Sequence, residues 1–278
     1  MIFIEILKAI FLGIVEGITE WLPISSTGHM ILVDEFMKLQ VSDEFKEMFF
    51  VVIQLGAIAA VPVMFWDKLY PFSKKKSREE RKQTLNLWGK VIVGVLPAAI
   101  IGVLLDDFFD EHFYKFTVVA IALVVYGIAF IAIEKFKRNK EYRIEDVHSI
   151  TYKDALVIGA FQMLSLIPGT SCSGSTILGG MLTGVSRVAS AEFSFFMAIP
   201  VMLGASFLKI LKFIIGGFTV SGIEVAILLV GIVVSFVVSL FAIKFLMDFV
   251  KRHSFAPFGV YRIILGAVVL GYYFVAVL

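Results

Sequence analysis

The chain has 278 residues, of which 59% are hydrophobic and only 17% charged, with 28 Phe, one Cys and a formal net charge of +2. Soluble domains carry about a quarter charged residues, so too little polar surface remains here to coat a water-soluble particle, and the chain uses lipid as its solvent. A lone cysteine excludes a disulfide-stapled secreted module, and a near-balanced charge gives no argument for nucleic acid. The start, Met1-Ile2-Phe3-Ile4-Glu5, has no basic stretch or small-residue cleavage site and is expected to be structural.

A helix crossing hydrocarbon needs roughly 20 mostly apolar residues. The first thirty-three residues are apolar enough to enter a membrane, but Glu16, Glu20, the run Pro23-Ile24-Ser25-Ser26-Thr27-Gly28 and His29 interrupt them. Phe49–Trp66 is nearly a clean span, broken by Gln54 and Pro62. Trp88–Leu105 and Phe116–Ile133 qualify fully. Ala155–Ile167 and Phe193–Leu208 are apolar but short, and Ile223–Leu246 and Pro257–Leu278 qualify again. The runs are continuous rather than alternating, which argues against a β-barrel. The expected fold is all-α: one integral membrane domain, residues 1–278, built as a polytopic helical bundle of eight to ten helices.

Basic residues sort by loop. Lys68, Lys74, Lys75, Lys76, Arg78, Arg81 and Lys82 follow the Phe49 span. Lys135, Lys137, Arg138, Lys140 and Arg143 follow Ile133, and Lys251 and Arg252 follow Leu246. Asp106-Asp107-Phe108-Phe109-Asp110-Glu111 is acidic and Gly216–Gly222 uncharged, so the basic loops lie inside and these two outside. Residues 154–184 then leave and re-enter the inner side, while residues 1–45 begin and end outside. Each interrupted segment reads as a re-entrant or broken helix hairpin, and the two enter from opposite faces.

The hairpins also resemble each other. At an offset of 146, Gly13 falls on Gly159, Glu16 on Gln162, Thr19 on Ser165, Ser25 on Ser171, Thr27 on Ser173 and Gly28 on Gly174. This suggests an internal repeat of inverted topology, about 1–105 and 150–246, with polar sites near the bilayer midplane. Irregular backbone at that depth needs protein or a wet cavity around it, so the tips are expected to meet.

Glu16 and Glu20 are four apart and project from one helical face, beside a smooth stripe of Gly13 and Gly17 that lets another helix approach. Paired carboxylates suit a divalent cation, general acid–base work or a proton relay. Pro23 ends the helix, and Ser25, Ser26 and Thr27 are natural N-caps for the next. The run Pro168-Gly169-Thr170-Ser171-Cys172-Ser173-Gly174-Ser175-Thr176 repeats the arrangement. Such turns present backbone N–H groups and hydroxyls to phosphate. His29 lies one turn from Ser25 and Ser26, which fits a base-assisted nucleophile or an imidazole that itself accepts a phosphoryl group.

The run Glu16-Gly17-Ile18-Thr19-Glu20-Trp21-Leu22-Pro23-Ile24-Ser25-Ser26-Thr27-Gly28-His29-Met30 resembles the bacterial undecaprenyl pyrophosphate phosphatases, the bacitracin-resistance family. Val52-Ile53-Gln54-Leu55-Gly56, Gly184-Val185-Ser186-Arg187, Ala191-Glu192-Phe193-Ser194-Phe195 and Tyr261-Arg262 extend the likeness over essentially the whole chain. The resemblance implies a multi-pass enzyme of the bacterial plasma membrane that removes the terminal phosphate of undecaprenyl pyrophosphate. That reaction recycles the lipid carrier of cell-wall synthesis. The family also implies magnesium or calcium, and a site opening to the outer face. By position, Glu16 and Glu20 would serve the metal or proton transfer, and Ser26 and His29 match the residues proposed for attack. Substrate binding would involve Ser25, Thr27, Gln54, Gly169, Ser171, Cys172, Ser173, Gly174, Thr176 and Arg187. Membrane lipid is an expected partner, and a homodimer stays open.

One position departs from the family, whose second motif carries arginine where this chain has Cys172. The arginine would be a charged fork on the pyrophosphate, and by analogy with arginine fingers its loss could lower the rate about 10³-fold or more. An engineered substitution, a natural variant using another cation such as Arg187 or the metal, and a paralogue that binds without turnover compete; a nucleophilic Cys172 is disfavoured because no nearby base is evident. A polyprenyl-phosphate flippase or transporter is the rival to hydrolysis, because broken helices in inverted repeats also build carriers.

Overall fold

A computed structural model describes residues 2–113, 115–137 and 141–276. Arg138 and Lys140 of the second basic loop lie outside the described residues, as do the side chains of Asp106, Asp107 and Asp110. The chain is helical: α1 (Ile2–Thr19), α2 (Ser26–Phe36), α3 (Asp43–Val52), α4 (Gln54–Met64), α5 (Trp66–Leu69), α6 (Arg78–Phe113), α7 (Phe116–Lys137), α8 (Tyr152–Met163), α9 (Cys172–Thr183), α10 (Arg187–Ile215), α11 (Gly222–Val250) and α12 (Ala256–Ala276). Six stretches among the described residues are long and apolar enough to cross a membrane: Asp43–Met64, Arg78–Leu105, Phe116–Lys137, Arg187–Ile215, Gly222–Val250 and Ala256–Val275. The segment expected to be short, Phe193–Leu208, is the middle of a 29-residue helix. Its polar ends hid its length, because Glu192 is neutralised by Lys68 at 2.6 Å and Lys209 by Glu47 at 2.8 Å.

Close helix crossings hold the bundle together. A Cβ on Gly13 would sit 2.8 Å from Gly231 O, and one on Gly17 2.8 Å from Ser235 O, so α1 runs alongside α11 in the same direction. The stripe of small residues read in α1 meets α11. Similarly, Gly159 of α8 would place a Cβ 1.9 Å from Gly94 O of α6. With no hydrophobic force between helices in lipid, such backbone contact is what makes packing favourable.

Ionic contacts mark one face of the bundle. Arg187 pairs with Glu134 and Arg143 with Asp154, while Lys90 donates to His148 O at 2.7 Å. Arg143 also donates to Thr183 O, three residues before the Ser186 cap of α10, and Phe255 N donates to Glu134, just before α12. On that face α8 begins and α11 ends. Since α1 runs with α11, α1 and α8 point in opposite senses, and both stop inside the bundle.

The crossings yield a graded test. Gly159→Ala should lower stability by about 1–3 kcal/mol through overpacking against α6. Gly204→Ala, with nothing within 4 Å of the new methyl, should hold or gain up to roughly 1 kcal/mol from helix propensity. Thermal unfolding in detergent distinguishes them, and equal melting of the two variants would refute the crossing.

Candidate functional site

Each buried helix end is built on a serine in an unusual backbone state. Ser25 (φ 74) and Ser171 (φ 73) are the non-glycine residues with positive φ among the described residues. For a non-glycine side chain this conformation costs roughly 1–2 kcal/mol and persists only where the surroundings enforce it. It lets Ser25 Oγ accept from Gly28 N at 3.2 Å and Ser171 Oγ accept from Gly174 N at 3.1 Å. The serines thus cap α2 and α9, whose first amides, those of Ser26, Thr27, Cys172 and Ser173, have no acceptor within their own helices.

The two tips touch. Ser173 Oγ donates to Glu20 O at 3.0 Å, and Ser171 Oγ lies 3.2 Å from Ser173 Oγ. Between the tips stands Arg262, 0% exposed, from the apolar helix α12. Its Nη1 donates to Pro23 O at 3.1 Å, and its Nη2 donates to Gly169 O at 2.7 Å and Thr170 O at 2.9 Å. The guanidinium lies 5.4 Å from the ring centroid of Tyr126. One fork therefore joins both turns through backbone carbonyls.

The acids and the nucleophile candidate lie beside this joint. Glu16, Glu20 and Ser26 are all buried. Ser26 Oγ donates to Glu20 Oε2, and Glu20 N donates to Glu16 O at 3.0 Å, one helical turn earlier. Glu16 Oε1 has no hydrogen-bond partner among the described residues. Two buried carboxyl groups one helical turn apart can hold a cation or pass a proton.

His29 is placed differently from its expectation. Its Nδ1 faces Ser25 O at 2.7 Å and its Nε2 faces Tyr261 Oη at 2.7 Å. A carbonyl only accepts, so Nδ1 carries the proton and Tyr261 donates to Nε2. One helical turn does bring the imidazole back to Ser25, but onto its carbonyl rather than onto a hydroxyl. Neither nitrogen reaches Ser26.

Other expected residues divide. Gly169, Ser171, Cys172, Ser173 and Gly174 form the second tip, and Thr27 lies half-buried in the first turn of α2. Thr176 Oγ1 donates to Cys172 O at 2.8 Å and shares a hydrogen bond with Ser194, so its hydroxyl is engaged away from the tip. Gln54 opens α4, and no hydrogen bond among the described residues joins it to either turn. Arg187 is a correction: its Nε and Nη2 bind Glu134 at 2.9 and 2.5 Å. The length of α9, about 18 Å, separates it from the tip, so it cannot replace a cation at position 172. Sequence reasoning missed Arg262 as a site residue. A lone arginine within an apolar span was the available signal, since intramembrane charges mark function. It also passed over Gln162, fully buried, whose Nε2 donates to Cys172 Sγ at 3.5 Å and whose Oε1 has no partner among the described residues.

Comparison with known proteins adds a further finding. The family model described as bacitracin resistance protein BacA matches residues 9–268. The chain is 59% identical over 273 residues to an undecaprenyl-diphosphatase of Enterococcus faecalis, covering 98% of this chain and 99% of the relative. It is 58% identical to an undecaprenyl-diphosphatase of Acetivibrio thermocellus, covering 97% and 98%, and 58% identical to undecaprenyl-diphosphatase 1 of Clostridioides difficile, covering 98% and 97%.

Arg262→Met would leave the carbonyls of Pro23, Gly169 and Thr170 without their donor. Stability should fall by about 3 kcal/mol or more, with Arg262→Lys recovering part of it. Thermal unfolding in detergent is the measurement, and parental melting of Arg262→Met would contradict the joint.

Proposed function

Because this chain belongs to the bacitracin resistance protein BacA family, we propose that the paired tips are its phosphatase site, with the pyrophosphate held between the N-termini of α2 and α9. The reaction is hydrolysis of undecaprenyl pyrophosphate to undecaprenyl phosphate and inorganic phosphate, which recycles the lipid carrier. The contact of Ser173 with Glu20 carries the site assignment, because it puts hydroxyls, free amides and acids around one point.

Ser26 is the nucleophile in this reading, supported by its hydrogen bond to Glu20. Glu20 takes the hydroxyl proton as Ser26 Oγ attacks the terminal phosphorus. The new O–P bond forms as the anhydride P–O bond breaks, and the electron pair leaves with undecaprenyl phosphate. Water then cleaves the phosphoserine, Glu20 assisting, and the serine regains its proton. Amides at the starts of α2 and α9 hold the phosphoryl oxygens. His29, locked between Ser25 and Tyr261, orients the first turn of α2 rather than attacking.

Magnesium or calcium fits this donor set. Glu16 and Glu20 are hard oxygen ligands, and Glu16 Oε1 is a buried atom without a partner among the described residues. Among the described residues no cluster of three or more His, Cys, Asp or Glu side chains is placed to hold an ion. The protein would therefore supply two carboxylates, with phosphate and water completing the shell. Such an ion supplies neutralisation of phosphoryl charge when bound. Its role is larger here than in relatives with the motif arginine, since Cys172 is uncharged, Arg187 is paired with Glu134 and Arg262 is committed to backbone. The chain belongs in the bacterial plasma membrane with the face of Lys90, Arg143 and Arg187 in the cytoplasm. The head group is then reached from the outer side.

Purified protein with magnesium and undecaprenyl pyrophosphate should release phosphate. Ser26→Ala and Glu20→Gln should each lower kcat about 10²- to 10⁴-fold, and His29→Gln should lower it less; an equal loss for His29→Gln would reassign the nucleophile. A chelator should abolish release until magnesium is restored. Cys172→Arg should raise kcat/KM about tenfold or more. Phosphate release from neither chain would overturn the enzymatic reading.

A further inference from the structure

The hydroxyl groups of the second tip are all engaged within the protein. Ser171 Oγ accepts from Gly174 N, Ser173 Oγ donates to Glu20 O, Ser175 Oγ donates to Ser171 O at 2.9 Å, and Thr176 Oγ1 donates to Cys172 O. One acceptor beside them is idle. Gln162, 0% exposed, lies one residue before the end of α8, and its Nε2 meets α9 at Cys172 Sγ, a 3.5 Å contact with a weak acceptor. Its backbone carbonyl accepts from Ser165 Oγ at 2.7 Å, which fastens the chain leading to the tip without using the amide. The amide Oε1 has no partner among the described residues.

Burying an amide with its acceptor unpaired is unfavourable, and a weak bond to sulfur does not offset the loss. The idle atom is an oxygen that only accepts, so its partner must bring a hydrogen or a positive charge. A deprotonated phosphoryl oxygen brings neither. A cation goes to charge first: Glu16 and Glu20 stand together on α1, and Glu20 is bonded to Ser26 of the same hairpin. A neutral amide on the other hairpin competes poorly with two carboxylates for it. Water is the partner that suits Gln162.

We propose that Gln162 positions the water that hydrolyses phosphorylated Ser26. The inference rests on the phosphatase reading of the paired tips and concerns its second step. Attacking and leaving oxygens lie roughly in line in phosphoryl transfer. Ser26, in the first tip, is the leaving group of that step, so water enters from the side that undecaprenyl phosphate has left. Gln162 touches the second tip at Cys172, and the second tip meets the first where Ser173 binds Glu20. Its Oε1 accepts a hydrogen bond from the water and takes no proton. The water oxygen bonds to phosphorus as the P–O bond to Ser26 breaks. The electron pair returns to Ser26 Oγ, which takes the proton that Glu20 gained in the first step. One water proton stays on the oxygen it came with, and the other passes to a second oxygen of the departing phosphate. At the matching position of the first hairpin, 146 residues earlier, stands Glu16. An amide at 162 supplies an acceptor without setting a third carboxylate against the phosphoryl group.

The test is rapid-quench kinetics with undecaprenyl pyrophosphate and magnesium in detergent micelles, on the parent chain, Gln162→Met and Gln162→Glu. Methionine keeps the length and loses the acceptor, whereas glutamate keeps an acceptor. Slowing the second step alone lowers kcat and KM together and leaves kcat/KM, which is set by the phosphorylation of Ser26. In Gln162→Met, kcat should therefore fall about tenfold or more while kcat/KM stays at the parental value, which also shows that the variant is folded. A burst of undecaprenyl phosphate, stoichiometric with enzyme, should precede slow release of inorganic phosphate. Gln162→Glu should release the two products together. Equal falls in kcat and kcat/KM in Gln162→Met would show a structural or binding role and overturn the proposal, as would parental values of both. A burst in Gln162→Glu would overturn it as well. So would a raised magnesium requirement in Gln162→Met, by making the amide a ligand of the ion. Absence of phosphate release by the parent chain would instead defeat the phosphatase reading on which the proposal stands.

Discussion

A helix can be broken within hydrocarbon only where every backbone group freed by the break finds another partner. This chain breaks two helices inside one bundle, and Arg262 resolves most of the difficulty. It supplies donors to Pro23 in one turn and to Gly169 and Thr170 in the other, from a third and remote helix. Burying a guanidinium is itself unfavourable by several kcal/mol unless it finds acceptors, so the turns and the two Nη groups of Arg262 stabilise one another as a set. The amides are handled on the opposite side of each break, where Ser25 and Ser171 adopt a strained backbone to cap α2 and α9.

That solution to a folding problem also leaves a charge pattern. Two helices start at turns that meet, next to two buried carboxyl groups. Alone, the amides and Arg262 favour an anion and the acids oppose it. The divalent cation proposed for the acids would reconcile the two. Cys172 sharpens the point. Its uncharged sulfur meets Gln162, and the arginine nearest to it in sequence, Arg187, is bound to Glu134 at the far end of α9.

Much of the site was legible because its rules are local. Four-residue spacing put Glu16 and Glu20 on one face, Pro23 ended α1, and hydroxyl residues after each proline marked the caps. The small residues of α1 announced a close helix contact. What was not legible came from distant pairs: Arg262 meets Pro23 across 239 positions and Tyr261 meets His29 across 232. Spacing alone suggested that His29 would serve a hydroxyl, and the competing carbonyl of Ser25 won because it lies directly under the imidazole. The length of α10 was also hidden, since a hydropathy reading stops at Glu192 and Lys209, while distant partners neutralise both.

The residues in order were enough to establish a lipid-embedded, all-helical chain, the two points where its helices break, and the chemical types gathered at each break. Those features depend on composition and on backbone preferences acting over about one turn. Which acid faces which hydroxyl, which arginine joins the turns and which one is lost to an ion pair were decided only by the packed bundle. Helix crossings such as Gly13 on Gly231 and Gly159 on Gly94 set those meetings, and contact between backbones depends on the arrangement of whole helices rather than on any local run of residues.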